Sequence, residues 1–215
     1  MCGCYELKAT AGMLVRHFPA LHCLQGRIVR QEEIQPAAHV SVVTGTAGRF
    51  SGELARWGLV GSFLEQAPRV PVVSLRAEGL ESRPFYGRLL KEKRCLIPAT
   101  AFFEWRTDAS GSRRWARCSD VAGKPFLFAG VFDRHPLAGT TCAILTIAAN
   151  ETLAAVNERM PLILSRDEAV FWLGDHPVFP VDDFSAMTQP LSRMSLRVDL
   201  EAVHQPFSQL SLGFS

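Results

Sequence analysis

Arg94-Cys95-Leu96-Ile97-Pro98-Ala99-Thr100-Ala101-Phe102-Phe103-Glu104-Trp105 is the stretch on which the fold turns. Residues 94–97 are apolar at strand length. Residues 101–105 carry three aromatics in five positions, a composition that suits a pleated strand better than a helix. Working outward, strands of the same kind are predicted at 39–44, 70–76, 125–132 and 141–148. Turn chemistry separates them at Thr44-Gly45, at 108–111 and at Ala138-Gly139. Helices are fewer and shorter. Residues 86–93 are basic and amphipathic, and 182–187 suit one short helix. Ser165 and Glu168 form a capping box opening an apolar turn that ends at Gly174. The balance predicts an α+β fold: a single β-rich domain over 1–215, with a curved antiparallel sheet or barrel-like core and peripheral helices.

Composition agrees with a packed core. Of 215 residues, 47% are hydrophobic and 20% charged, and the formal net charge is only +2. A mild excess of this size neither demands nor excludes nucleic acid, because a local basic patch matters more than the total. No apolar run approaches the roughly 18–20 residues of a membrane span, and the N-terminus lacks a signal-peptide pattern, so a cytoplasmic address is expected. Cys23, Cys95, Cys118 and Cys142 are scattered singly, without a C-x-x-C pair, and read as buried small hydrophobes. The histidines fall in no ligand spacing. Neither a metal nor a cofactor is expected.

The chemistry starts at Met1-Cys2-Gly3-Cys4. Removal of Met1, which the small Cys2 side chain favours, leaves an amine and a thiol on adjacent carbons. Their reference pKa values, about 7.7–8 and about 8.5, leave both partly deprotonated near neutrality. Such a 1,2-aminothiol condenses with an aldehyde to an imine, and the neighbouring thiol closes on the imine carbon to give a thiazolidine. Ring closure is effectively intramolecular and therefore fast.

Three further segments stand in order behind that start. They are Ser74-Leu75-Arg76-Ala77-Glu78, the Arg94-to-Trp105 stretch, and Asn157-Glu158-Arg159-Met160-Pro161. Together with Arg56-Trp57-Gly58-Leu59-Val60, Phe128-Ala129-Gly130-Val131 and Thr146-Ile147-Ala148-Ala149-Asn150, the set resembles the SOS-response-associated peptidase (SRAP) family. Its members begin Met-Cys-Gly, then carry Asn-Ala-Arg-x-Glu, Arg-Cys-x-x-Pro running into aromatic-Glu-Trp, and His-x-Arg-Met-Pro. The resemblance runs from residue 2 to about residue 175, while 176–215 match poorly.

The resemblance implies covalent capture of ring-opened abasic deoxyribose in single-stranded DNA through Cys2. It also implies that Glu104 moves protons, that Arg76 grips a phosphate, and that Arg159 is either a second phosphate contact or a structural bridge. An ion pair of Arg76 with Glu78 is the plainer alternative for Arg76. For Glu104 the plainer alternative is a strand carboxylate paired with a nearby arginine. Two active positions depart from the pattern: Ser74 stands for the family's Asn, and Asn157 for its His. An amide holds a hydrogen bond but cannot shuttle a proton near neutrality. Cys4 replaces an arginine, and Gly61 and Phe63 replace a Pro and a Trp. Phe63 can still stack on a base, or be an ordinary loop or core aromatic. The cationic positions Arg83, Arg88, Lys91, Lys93 and Arg94 suit either a DNA backbone or a solvated face.

The implied partner is single-stranded DNA containing abasic sites, with no membrane. The protein is expected to be a monomer, nucleoid-associated when bound. Two other readings remain open at this stage: a relative that binds single-stranded DNA without chemistry, and a cysteine-type (auto)peptidase.

Overall fold

The stretch that decides the fold does so by changing sheets at Thr100. In the computed structural model, which describes residues 3–46, 49–107, 111, 113–174, 176, 180–189 and 195–200, residues 94–99 and 101–107 are consecutive strands of two different sheets. In chain order the elements are β1 (Cys4–Leu7), α1 (Ala11–His17), a 3₁₀ helix (Pro19–Leu24), β2 (Gln31–Ile34), β3 (His39–Thr46), β4 (Arg49–Trp57) and β5 (Ser74–Arg76). Next come α2 (Pro84–Glu92), β6 (Arg94–Ala99), β7 (Ala101–Thr107), β8 (Arg113–Asp120), β9 (Phe126–His135) and β10 (Gly139–Ala148). The last are α3 (Glu151–Ala154), β11 (Arg159–Pro161), β12 (Ile163–Leu164), α4 (Arg166–Leu173), α5 (Val181–Met187) and β13 (Leu196–Leu200).

The larger sheet runs β11-β10-β4-β3-β6-β9-β12, and β10 also pairs with β9. Strands β10, β4, β3, β6 and β9 therefore form a closed circuit, which removes their free edges and makes a barrel. Pairing is antiparallel except where β10 runs parallel to β4 and to β5. The smaller sheet, β13-β8-β7-β1-β2, lies against the barrel. The seam is aromatic. Tyr5 meets Trp57 and Phe128 with ring centroids at 5.1 and 5.7 Å, and Phe102 meets Phe126 and Phe128 at 6.3 and 6.1 Å. Alternation along β7 then fixes the directions: Phe102 and Glu104 share the face toward the barrel, while Ala101 and Phe103 take the opposite one.

The β-rich architecture with peripheral helices is the expected one, and local details refine it. Only the last three residues of the 70–76 stretch are a strand, and Thr44-Gly45 lies inside β3 rather than in a turn. The reach of β3 is set by its pairing with β4, whose polar residues hide it from a pattern search. Ala138-Gly139 does close the β9–β10 hairpin, with Gly139 at φ +70°, a conformation that costs glycine little. The capping box forms in both directions: Glu168 N donates to Ser165 Oγ (3.3 Å) and Ser165 N to Glu168 Oε2 (2.8 Å). Most of the turn predicted at 108–111 lies outside the described residues.

Cys95, Cys118 and Cys142 are buried and Cys23 half-buried, and the described cysteines are free thiols. Burial pushes Cys118 and Cys142 up to about 12, so these sulfurs behave as apolar atoms. No described helix is long and apolar enough to cross a membrane.

Candidate active site at the junction of the two sheets

Glu104 is 4% exposed, on the barrel-facing side of β7. Its carboxylate Oε2 accepts the Nδ2–H of Asn157 at 2.8 Å. Asn157 comes from the other body, in the loop between α3 and β11, so this bond joins the two sheets. The Asn157 amide is fixed from its other end, where Oδ1 accepts Arg159 N at 3.0 Å. Burial pushes the Glu104 pKa up, and the positive charge of the chain's N-terminus and the Asn157 amide pull it back only in part, so it stays raised above the usual carboxylate value. A buried acid with a raised pKa and an amide partner is equipped to give and take a proton.

Beyond Asn157 the contacts continue into charged residues around β10. Thr146 of β10 faces Arg76 of β5 on one side and Pro161 of β11 on the other. Arg159 binds Glu78 with two parallel bonds of 2.8 and 2.7 Å, and also donates to Thr146 O at 2.6 Å. Burial works against the Glu78 charge, but Arg159 overrides it and holds that carboxyl below its usual value. The partner of Glu78 is thus Arg159, not Arg76. Arg76 lies 3.9 Å from the exposed Glu158 and keeps 61% of its side chain exposed. Ser74 begins β5, two residues before Arg76 and on the same side of the strand.

A cavity of about 220 Å³ opens beside Glu104, lined by Gly3, Cys4, Phe103, Trp105 and Trp115 as well. Antiparallel register brings these together: Cys4 lies opposite Phe103, and Trp105 opposite Trp115. Cys4, which stands where an arginine was expected, is a buried wall of this cavity. Cys2 lies outside the described residues, but one peptide bond joins it to Gly3. Trp105 and Trp115 meet edge to face at 4.9 Å, and the Arg113 guanidinium sits 4.6 Å over the Trp105 ring.

A scan against known families matches the SOS response associated peptidase (SRAP) model over residues 1–205. The chain belongs to the SRAP family. Among curated relatives, the SRAP chain is 27% identical over 189 residues to the abasic site processing protein YoaM of Bacillus subtilis, covering 84% of this chain and 82% of that one. It is 30% identical over 168 residues to the abasic site processing protein HMCES of Gallus gallus, covering 65% of this chain and half of that longer protein. Solved structures of proteins from Bacteroides thetaiotaomicron and Bordetella bronchiseptica share its fold. Both have a TM-score of 0.76, at 20% and 18% identity, and they cover 93% and 94% of the chain and 91% and 100% of their own.

Not every residue singled out in the sequence falls into this cluster. Phe63 belongs to the loop after β4, where it is 66% exposed and rests edge-on against Phe85 of α2. Of the cationic run, Arg94 is not on a solvated face: it is buried and donates to the carbonyls of Trp172 (2.6 Å), Leu90 (3.0 Å), Lys91 and Gly174 (2.8 Å). It binds the ends of α2 and α4, a need for donors that helix C-termini create. Lys93 is taken up by the buried Asp133. Arg83, Arg88 and Lys91 remain exposed. Trp115 escaped the sequence reading: a hairpin centred on 108–111 would set Arg114 against Trp105, and the actual register, one residue further on, sets Trp115 there.

Proposed function

We propose that this protein processes abasic sites in single-stranded DNA by covalent capture through Cys2 after removal of Met1. The observation that carries the reading is the Glu104–Asn157 pair, a buried acid beside a cavity whose lining includes Gly3, the neighbour of Cys2. The family relatives named as abasic site processing proteins point the same way.

Glu104, whose hold on a proton burial strengthens, gives one to the sugar ring oxygen and takes up the proton of the C1 hydroxyl, which opens the deoxyribose to its aldehyde. The Cys2 amine adds to the aldehyde carbon and passes one proton to its oxygen; Glu104 protonates that oxygen again so that water leaves, and regains a proton from the nitrogen as the imine forms. The Cys2 thiol then adds to the imine carbon, its proton moves to the nitrogen, and the thiazolidine ring closes. Asn157 holds Glu104 in place, and the Ser74 hydroxyl donates to the sugar or the imine. Arg76 grips a phosphate with its exposed guanidinium. Arg159, bound to Glu78, keeps Asn157 and β5 in register and presents a second positive charge to the backbone. Phe63 stacks on a base. The protein works as one domain and as a monomer, in the cytoplasm and on the nucleoid when DNA-bound.

The test uses protein whose loss of Met1 is verified by intact mass, with a single-stranded oligonucleotide carrying one abasic site. A denaturation-resistant adduct that disappears in Cys2→Ala is expected. An adduct that persists in Cys2→Ala overturns the scheme. Salt-sensitive binding with no adduct establishes a binder without chemistry.

A further inference from the structure

The hairpin of β7 and β8 is strongly basic. Residues 105–117 hold four arginines and one acid, whereas the whole protein has a formal net charge of only +2. Two of the four arginines are engaged within the fold. Arg117 donates to Glu6 at 2.8 Å, and the Arg113 guanidinium lies 4.6 Å over the Trp105 ring. Arg106 and Arg114 are left. Arg114 is exposed and Arg106 half-buried, and among the described residues neither side chain has a hydrogen bond or an ion pair.

Register sets these two charges against each other. Arg106 and Arg114 are directly opposed across the antiparallel pair, which brings their Cβ atoms to about 5 Å. Like charges in that position destabilise a sheet. An anion held between the two guanidiniums would turn the repulsion into attraction, and a phosphate suits their forked N–H donors. Alternation also places the pair beside the acid. Glu104 pairs with Ala116 one step back along the ladder, so Glu104, Arg106 and Arg114 project from the same side of the hairpin. Two strand residues separate Arg106 from Glu104, about 7 Å. A strand whose abasic sugar sits at Glu104 would pass an adjoining phosphate over the two arginines.

We infer that Arg106 and Arg114 form a clamp for one backbone phosphate of the captured strand, next to the abasic sugar. The inference rests on the single-stranded DNA reading above and adds to it a contact from the smaller sheet, across from Arg76 of β5 and Arg159 of β11. The opposed pair weakens the free protein and is relieved only when the anion arrives. Its removal therefore separates affinity from stability, which a structural ion pair would not do.

The test uses a fluorescein-labelled single strand carrying a tetrahydrofuran abasic analogue, which binds but cannot react, with anisotropy read over a range of salt. Urea midpoints, and adduct formation with a true abasic site, are measured in parallel. Arg106→Ala combined with Arg114→Ala is expected to weaken binding about tenfold or more, the worth of hydrogen bonds to a charged group. The salt slope should fall by about 0.7, the value for one phosphate of a single strand. The urea midpoint should stay level or rise. Neutral methylphosphonate linkages, placed one at a time on either side of the analogue, locate the phosphate: at one position the change weakens wild-type binding and adds nothing in the double variant. Affinity and slope left unchanged in the double variant overturn the clamp alone. So does a joint fall of affinity and urea midpoint, the mark of a structural role, or the absence of any linkage that couples to the two arginines. A wild-type protein that neither binds the strand nor forms the adduct overturns both readings. The two single variants keep the test open should the double variant fail to fold.

Discussion

Two glutamates of the same small sheet, Glu6 and Glu104, are both almost completely buried, at 2% and 4% exposure, and the fold treats them in opposite ways. Glu6 lies on the face of β1 and β7 turned away from the barrel. There Arg117 donates to it at 2.8 Å, Thr100 at 2.8 Å, and Lys8 lies 3.2 Å away. Burial alone would raise its pKa, but these partners outweigh burial and lower it. Glu104 faces the barrel, where burial prevails over the positive charge of the chain's N-terminus and the amide of Asn157, and its pKa rises. One carboxylate is a fixed charge that ties β1 to β8 and to Thr100. The other is kept ready to change its protonation state. Equal burial therefore does not fix a pKa; the number and strength of the groups that stabilise the charge do.

Breaking each pair in turn should separate the two roles. The largest effect is expected for Glu104→Gln, which slows adduct formation by about 10²- to 10⁴-fold, the usual worth of a positioned acid–base group. Rapid-quench gel assays of the single-stranded abasic substrate measure this directly, and an unchanged rate would remove Glu104 from the chemistry. Glu6→Gln should instead cost about 2 kcal/mol of stability in urea denaturation, with no matching loss of rate in the folded protein. That figure is below the full value of a buried pair because Arg117 and Lys8 are partly solvated.

Asn157→His sharpens the comparison by giving Glu104 a partner that titrates. Release of the adduct should then speed up by about tenfold or more, since imidazole can move a proton that the amide cannot. A release rate equal to wild type would show that position 157 only orients Glu104.

The pH dependence of stability supplies a smaller effect with opposite signs at the two sites. The folded pKa of Glu6 lies below its reference value of 4.5, so its contribution is present above pH 4.5 and is lost as the pH falls through the folded value. Glu104 has a folded pKa above 4.5, so the folded state binds more protons there and stability declines as the pH rises through that window. Urea midpoints from pH 3 to 8 should show the acid-side loss shrink in Glu6→Gln, with the shares of Glu78 and Asp133 remaining, and the decline above pH 4.5 shrink in Glu104→Gln. The smallest effect is expected from Arg76→Ala, which should lower the salt slope of DNA binding by about one and leave stability unchanged, its ion pair to Glu158 being exposed.

Much of the fold was legible because strands announce themselves locally. The aromatic run at 101–105 and the apolar run at 94–97 became β7 and β6, and the Ser165–Glu168 box opened α4 as its residues require. Elements whose stability comes from neighbours were not legible. β4 and β8 carry Arg, Glu and Ser on their exposed faces, so their apolar signal is diluted. α1 is only seven residues long and owes its start to the Thr10 cap rather than to a long periodic face. Arg94 looked like one more surface cation because nothing local shows that four carbonyls will converge on it.

By itself the sequence offered the candidate groups: a cysteine directly after Met1 and a carboxylate set between Phe103 and Trp105. Those are properties of single residues and their immediate neighbours. Tertiary structure alone decided that Asn157, 53 positions away in the loop before β11, would face Glu104, that Arg159 would take Glu78 and leave Arg76 exposed, and that Glu6 would be the charged acid and Glu104 the raised one. The reason is physical. Burial and periodicity are written along the chain, but a pKa and an ion pair depend on which groups the register of distant strands brings within about 3 Å.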